Sequence, residues 1–150
     1  MYELIEQTNA IIDKEMPLIT NLSNISAVIN QLSDINWCGF YLVKGEYLYL
    51  GPFQGEVACT KIKIGKGVCG LSLLKKETII VDNVLKFEGH IACSDKSRSE
   101  IVVLIIQNQN VVALIDIDSP LYSRFKEKEK EIIEEIAKII SKKLDFNYRF

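Results

Sequence analysis

Nucleophiles and titratable groups crowd into a few stretches of this chain. "GHIACSDKSRSEIVVLII" (89–106) sets the only histidine, His90, three residues ahead of Cys93, with Lys96 and Arg98 close behind. A free cysteine usually packs as a small hydrophobe. Cys93 instead stands in a polar segment, where cationic neighbours draw a thiol toward the thiolate that attacks electrophiles. Cys59 and Cys69 flank strand-edge or glycine-rich positions able to approach that segment, so a nucleophile with one or two resolving cysteines uses all three. Cys38, inside the aromatic "NWCGFY", reads as core packing. No C-x-x-C pair and no second histidine are present, so neither a zinc site nor any other metal is expected.

Acids form the second cluster. In "LIDID", read as a strand, Ile115 and Ile117 face one side and Asp116 and Asp118 the other, about 7 Å apart at the usual rise. On an exposed face such a pair is merely solvated. Lining a pocket with Glu100, which stands where loop becomes strand, repulsion and desolvation would raise at least one pKa and make a proton donor. "GKGVCG" is a literal G-x-G-x-x-G from Gly65 to Gly70. The dinucleotide reading needs a βαβ unit with an acid about 20 residues on, and Asp82 comes too early. What remains is a tight turn, or glycines that let backbone N–H groups approach a ligand or stabilise a thiolate at Cys69.

The elements that must position these groups follow from periodicity. Residues 1–32 carry apolar side chains at helical spacing, with Pro17 kinking the helix or starting a second one. "INWCGFYLV" and "EYLYLGPF" form a hairpin through Lys44-Gly45. "CTKIKI" predicts a strand, "GVCGLSLLKKE" a short helix and "TIIV" a short strand. Residues 82–99 lack periodicity and read as a long loop, of the kind more often functional than idle. "IVVLIIQNQNVVALIDID" predicts a second hairpin, and 122–144 a final amphipathic helix with Phe125, Ile132, Ile133, Ile136, Ile140 and Leu144 inward. The result is one α+β domain over 1–150, with its core at about 34–145: an antiparallel sheet flanked by N- and C-terminal helices.

Bulk properties narrow the classes. A net charge of -2 with lysines scattered among acids excludes the basic stripe of a nucleic-acid binder. No apolar run approaches the ~18 residues of a membrane span, and the acidic N-terminus is unlike a signal peptide. A cytoplasmic setting is expected, where four cysteines would stay largely reduced.

Taken together, "GPFQGEVACTKIKIGKGVCG", "GHIACSDKSRSEIVV" and "LIDIDSP" resemble the free methionine-(R)-sulfoxide reductases, which are GAF-domain enzymes. The similarity runs from about residue 34 to the final helix, with motifs in the family's order. The resemblance implies that Cys93 attacks the sulfoxide sulfur and becomes a sulfenic acid. It implies that Cys59 condenses with that acid to a disulfide and that Cys69 is a second or alternative recycling cysteine. Glu100, Asp116 and Asp118 match the acids that hold the substrate and help protonate its oxygen, and Trp37 the tryptophan against its methyl end. Thioredoxin is the reductant the family uses, no cofactor is implied, and family analogy suggests a homodimer. His90 then reads as a support for the loop or for the thiolate. Three positions depart from the pattern: Cys38 stands where alanine is expected, Ser94 for an acid and Leu104 for proline.

Thiolate plus raised-pKa carboxylic acid is what sulfoxide reduction requires, a nucleophile at sulfur and a proton for the departing oxygen. The alternatives are a non-catalytic GAF sensor of a small ligand, for which three cysteines and three acids would be surplus, and a peroxide-reducing thiol protein, which would need no acidic pocket.

Overall fold

The computed structural model describes residues 2–89 and 94–147. Pro17 does start a second helix: α1 spans Tyr2–Ile11 and α2 Leu18–Ile29. The Pro17 carbonyl accepts from the amides of Thr20 and Asn21. Asn21 closes the connection, its side chain exchanging two 2.9 Å hydrogen bonds with the backbone of Asp13.

Six strands follow: β1 (Trp37–Lys44), β2 (Tyr47–Gly55), β3 (Lys61–Lys63), β4 (Ile79–Val81), β5 (Ser99–Gln107) and β6 (Asn110–Ser119). They form one sheet in the order β3-β2-β1-β6-β5-β4, all neighbours antiparallel. Both predicted hairpins are present. The β5–β6 turn places Asn108 and Gln109 at positive φ, the twist-matched two-residue form. β3 is shorter than the alternation in "CTKIKI" predicts, because only Ile62 of its three residues is buried and Cys59 stays in the preceding loop. After β4, the described residues contain a 3-10 turn at Val84–Lys86, and β5 begins at Ser99.

The two faces of the sheet are covered differently. Cys38, Phe40, Ile101, Val103, Ile105, Ile115 and Ile117 pack with α1, α2 and α4 in one core. α3 (Gly67–Lys75) lies over the other face, in a second cluster with Trp37, Tyr41, Val102 and Leu114. Burying an isoleucine of this kind contributes about 1.5–3 kcal/mol, so the first face carries most of the stability.

α4 runs over Glu127–Lys143, five residues shorter at its start than the apolar spacing predicts. Phe125 is buried but precedes the helix. The boundary is set by Glu129, whose carboxylate accepts the Lys126 amide at 2.7 Å and pairs with Arg124 at 3.2 Å. At the other end the Gln107 amide donates to the Ser141 and Leu144 carbonyls, satisfying the helix terminus from β5. Among the described residues no helix is long and apolar enough to cross a membrane.

Candidate active site

Strand parity decides which side chains meet. On β6, Ile115 and Ile117 enter the helix-covered core while Leu114, Asp116 and Asp118 project to the α3 side. Register supplies the rest. Asp118 is paired with Glu100 on β5 and with Trp37 on β1, so the three share one rung across adjacent strands. Asp116 lies two residues along, opposite Gly39 and Val102. A Cβ on Gly39 would sit 2.4 Å from Cβ of Phe53 and 2.8 Å from the Trp37 ring, so this glycine is what lets the indole lie flat over the strand. Trp37 stacks on Phe53 at 5.3 Å and on Tyr41 at 6.1 Å.

Over this floor lies a cavity of about 50 Å³, closed on one side by the first turn of α3 and on the other by the loop carrying Val57 and Ala58. Its polar lining includes Glu100, Asp116, Asp118, Ser97 and Cys69, with Lys66 and Ser94 also on the wall. Glu100 and Asp116 are each 6% exposed. Burial, then Asp116 and Asp118, pushes the Glu100 carboxyl well above the usual carboxylate range, so it keeps a proton for its carboxylate neighbours. Asp118 is also raised, first by burial and then by Asp116, with hydrogen bonds from Ser97 and Glu100 opposing the rise. One oxygen of Asp118, Oδ1, is buried with no hydrogen-bond partner among the described residues. A buried acceptor left this way favours a donor arriving from outside.

The cysteines separate. Cys59, half-buried in the loop beside the cavity, is engaged in a disulfide, whereas Cys38 and Cys69 are free thiols. Cys69 Sγ lies 4.0 Å from Glu100 Oε2. Burial first, then Asp116 and Glu100, hold its pKa far up, so the turn does not present a thiolate at Cys69. The glycines serve the turn itself. Gly65 N–H donates to the Gly70 carbonyl, and a Cβ on Gly70 would meet the Lys63 carbonyl at 2.7 Å. Cys69, Glu100 and Asp116 present donor atoms within 4.8 Å of one another, the one such grouping among the described residues. A divalent cation there would have to displace protons from both the thiol and Glu100.

Cys38 is fully buried on the opposite face, its thiol directed at the Ser26 carbonyl at 3.4 Å and its pKa pushed up to about 12, chiefly by burial. It should therefore resist iodoacetamide in the native chain at pH 8 and react only after denaturation. Cys38→Ala should keep activity within about twofold while costing roughly 1 kcal/mol of stability. Labelling of Cys38 in the folded protein would contradict this. Cys93 and His90, the other residues singled out in the sequence, lie outside the described residues.

The GAF domain family model matches residues 17–144. A Saccharomyces cerevisiae protein called free methionine-R-sulfoxide reductase is 46% identical over 143 residues, covering 89% of this chain and 79% of that protein. The Escherichia coli protein of the same name is 37% identical, covering 91% and 83%. The structure of Staphylococcus aureus fRMsr in complex with substrate superposes with a TM-score of 0.90 at 46% identity, covering 96% of this chain and 95% of that one. This chain belongs to the GAF-domain family of free methionine-R-sulfoxide reductases.

Of the residues singled out in the sequence, Trp37, Cys69, Glu100, Asp116 and Asp118 are brought to the same cavity. The sequence reading missed Gly39, Ser97 and Tyr41. Gly39 and Tyr41 share the parity of Trp37 on β1, a signal present in "NWCGFY" but overshadowed by the cysteine. Ser97 has no sequence signal: its role comes from hydrogen bonding with Asn36 and Asp118, distant in the chain.

Proposed function

We propose that this chain, acting as one domain over 1–150, reduces free methionine (R)-sulfoxide to methionine in a reducing compartment such as the cytoplasm. The observation that carries the reading is the buried trio of Glu100, Asp116 and Asp118 beneath Trp37, with the Cys59 loop at its edge. The Cys93 thiolate attacks the sulfoxide sulfur while Glu100 delivers a proton to the oxygen, giving methionine and a Cys93 sulfenic acid. The thiol sulfur is oxidised by two electrons and the sulfoxide sulfur reduced by two.

Cys59 is the main resolving cysteine in this scheme. Its thiol condenses with the sulfenic acid, an S–S bond forms, the S–O bond breaks and water leaves. That Cys59 is held in a disulfide while Cys69 is a buried thiol with a strongly raised pKa supports this order. Cys69 is a secondary recycling thiol. A dithiol protein such as thioredoxin returns the pair to thiols by exchange.

The acidic cluster facing a small cavity suits the ammonium group of a free amino acid, and the first turn of α3, which lines the same cavity, suits the substrate's carboxylate. A peptide offers neither charge at the reacting residue. Incubation with separate R and S epimers of free methionine sulfoxide and dithiothreitol should yield methionine from the R epimer. Peptide-bound methionine sulfoxide should be turned over far more slowly. Equal rates for peptide and free amino acid would remove the pocket's role. Retention of all thiols on adding the R epimer would favour the sensor reading instead.

A further inference from the structure

We propose that Tyr41 is a positioning residue for the resolving half of the reaction, its hydroxyl holding the Cys59 backbone at the edge of the cavity. The inference rests on the reading of Cys59 as the resolving cysteine.

The stretch 56–60 has no regular secondary structure, and Val57 within it is 89% exposed. Nothing local prevents such a loop from swinging outward. Its tethers come mainly from elsewhere in the fold. Leu50 N–H donates to the Thr60 carbonyl at 3.0 Å and the Trp37 indole N–H to the Glu56 carbonyl at 3.1 Å. Glu56 also pairs with Lys96, but both side chains are well exposed, and such pairs contribute little. Besides the disulfide, Cys59 is held through its backbone by the Tyr41 hydroxyl, which donates to the Cys59 carbonyl at 2.8 Å and remains when the disulfide is reduced.

Tyr41 is built for that purpose. It is 2% exposed, and its ring is stacked on Trp37, so the phenol has little freedom to turn. Burial first, then Asp116, pushes its pKa up, which keeps the hydroxyl protonated and a donor. A phenol has one O–H to give, and this one is given to a backbone carbonyl. It is therefore not the group that protonates the sulfoxide.

Disulfide closure depends on how often the Cys59 sulfur meets the Cys93 sulfenic sulfur. In that step Cys59 loses its proton, its sulfur is oxidised and that of Cys93 reduced as the S–S bond forms, and hydroxide leaves as water with the proton. Fixing the carbonyl of Cys59 fixes the origin of its side chain and raises its effective concentration. Without the tether the sulfenic acid would live longer and be open to further oxidation.

The test is Tyr41→Phe in the full chain, which keeps the ring and removes only the hydroxyl. In a single turnover with methionine (R)-sulfoxide, the methionine burst should slow less than disulfide closure does, since the ring that lines the cavity is kept. Disulfide closure should slow about tenfold, read as a longer window for trapping the sulfenic acid with dimedone. Titration with dithiothreitol should half-reduce the disulfide at about tenfold lower reductant, since a freer loop makes the bond less favourable. Parent-like closure together with a parent-like titration would overturn the proposal. A burst slowed as much as closure would also overturn it, assigning Tyr41 to the substrate step. Absence of methionine from the parent chain would instead sink the reductase reading, and the dithiothreitol titration would still decide the role of Tyr41.

Discussion

Replacing Cys93 with serine is expected to lower methionine formation by at least about a thousandfold, because a hydroxyl does not supply a thiolate and no other group can take its place at the sulfoxide sulfur. Cys38 lies across the sheet in a closed core, and Cys69 is held protonated beside Glu100. Cys59→Ser should behave differently. The first attack is intact in that variant, so one equivalent of methionine appears at the parent rate. Turnover with thioredoxin then stalls, leaving only what the secondary thiol Cys69 or direct reduction of the sulfenic acid provides. Rapid-quench measurement of methionine, with mass spectrometry of the protein, separates the two variants. A Cys93→Ser protein with normal turnover would end the assignment of the nucleophile, and an unimpaired Cys59→Ser steady state would shift resolution to Cys69.

Glu100→Gln should lose activity and gain stability. Removing the proton donor is expected to slow the reduction step about a hundredfold, with the loss falling on kcat. The stability effect follows from the same burial. Glu100 and Asp118 are both raised in the folded chain, so it binds more protons than the unfolded chain at any pH between the ordinary carboxylate value and the raised one. Stability is therefore greatest on the acid side and is lost as pH rises from about 4.3 through the raised value, by roughly 1.4 kcal/mol per pH unit for each proton involved. Glutamine carries no charge to bury and relieves Asp118 of a like neighbour. Urea denaturation from pH 5 to pH 8 should show the parent chain weakening and the variant weakening less, so that the variant is the more stable at pH 8. Parallel curves for the two proteins would mean that Glu100 is not the group holding the proton. In the parent, the donor's activity should fall as pH rises through the raised Glu100 value, giving kcat a basic limb that Glu100→Gln lacks.

Much of the site was legible in the residues because strand parity is a local property. "LIDID" already puts two carboxylates on the face opposite two isoleucines, and the structure sends Ile115 and Ile117 into the helix-covered core and the acids to the cavity. The same two-residue period separates buried Cys38 from Trp37. Hairpins were legible for a related reason: turn residues such as Gly45, Asn108 and Gln109 adopt positive φ, and their chemistry is written at the turn itself. Helix starts were less so. The apolar spacing of α4 continues backward to Phe125, and only the hydrogen bond from the Lys126 amide to Glu129 shows where winding begins.

What the chain by itself determined, then, is which side chains share a face within each strand and which loops are rich in chemistry. Only the tertiary structure decided which hairpins lie side by side. β1 lies between β2 and β6, and that order sets Trp37 beside Asp118, whose partner Glu100 comes from the β5–β6 hairpin. α3 crosses the face that the other helices leave uncovered, bringing Cys69 to 4.0 Å from a carboxylate 31 residues away. Tyr41 reaches the Cys59 carbonyl across 18 residues for the same reason. Strand order is chosen by burying both faces of the whole sheet at once, a sum over long-range contacts that no local period encodes. The raised acids follow from it, since desolvation exists only once the sheet and α3 have closed around them.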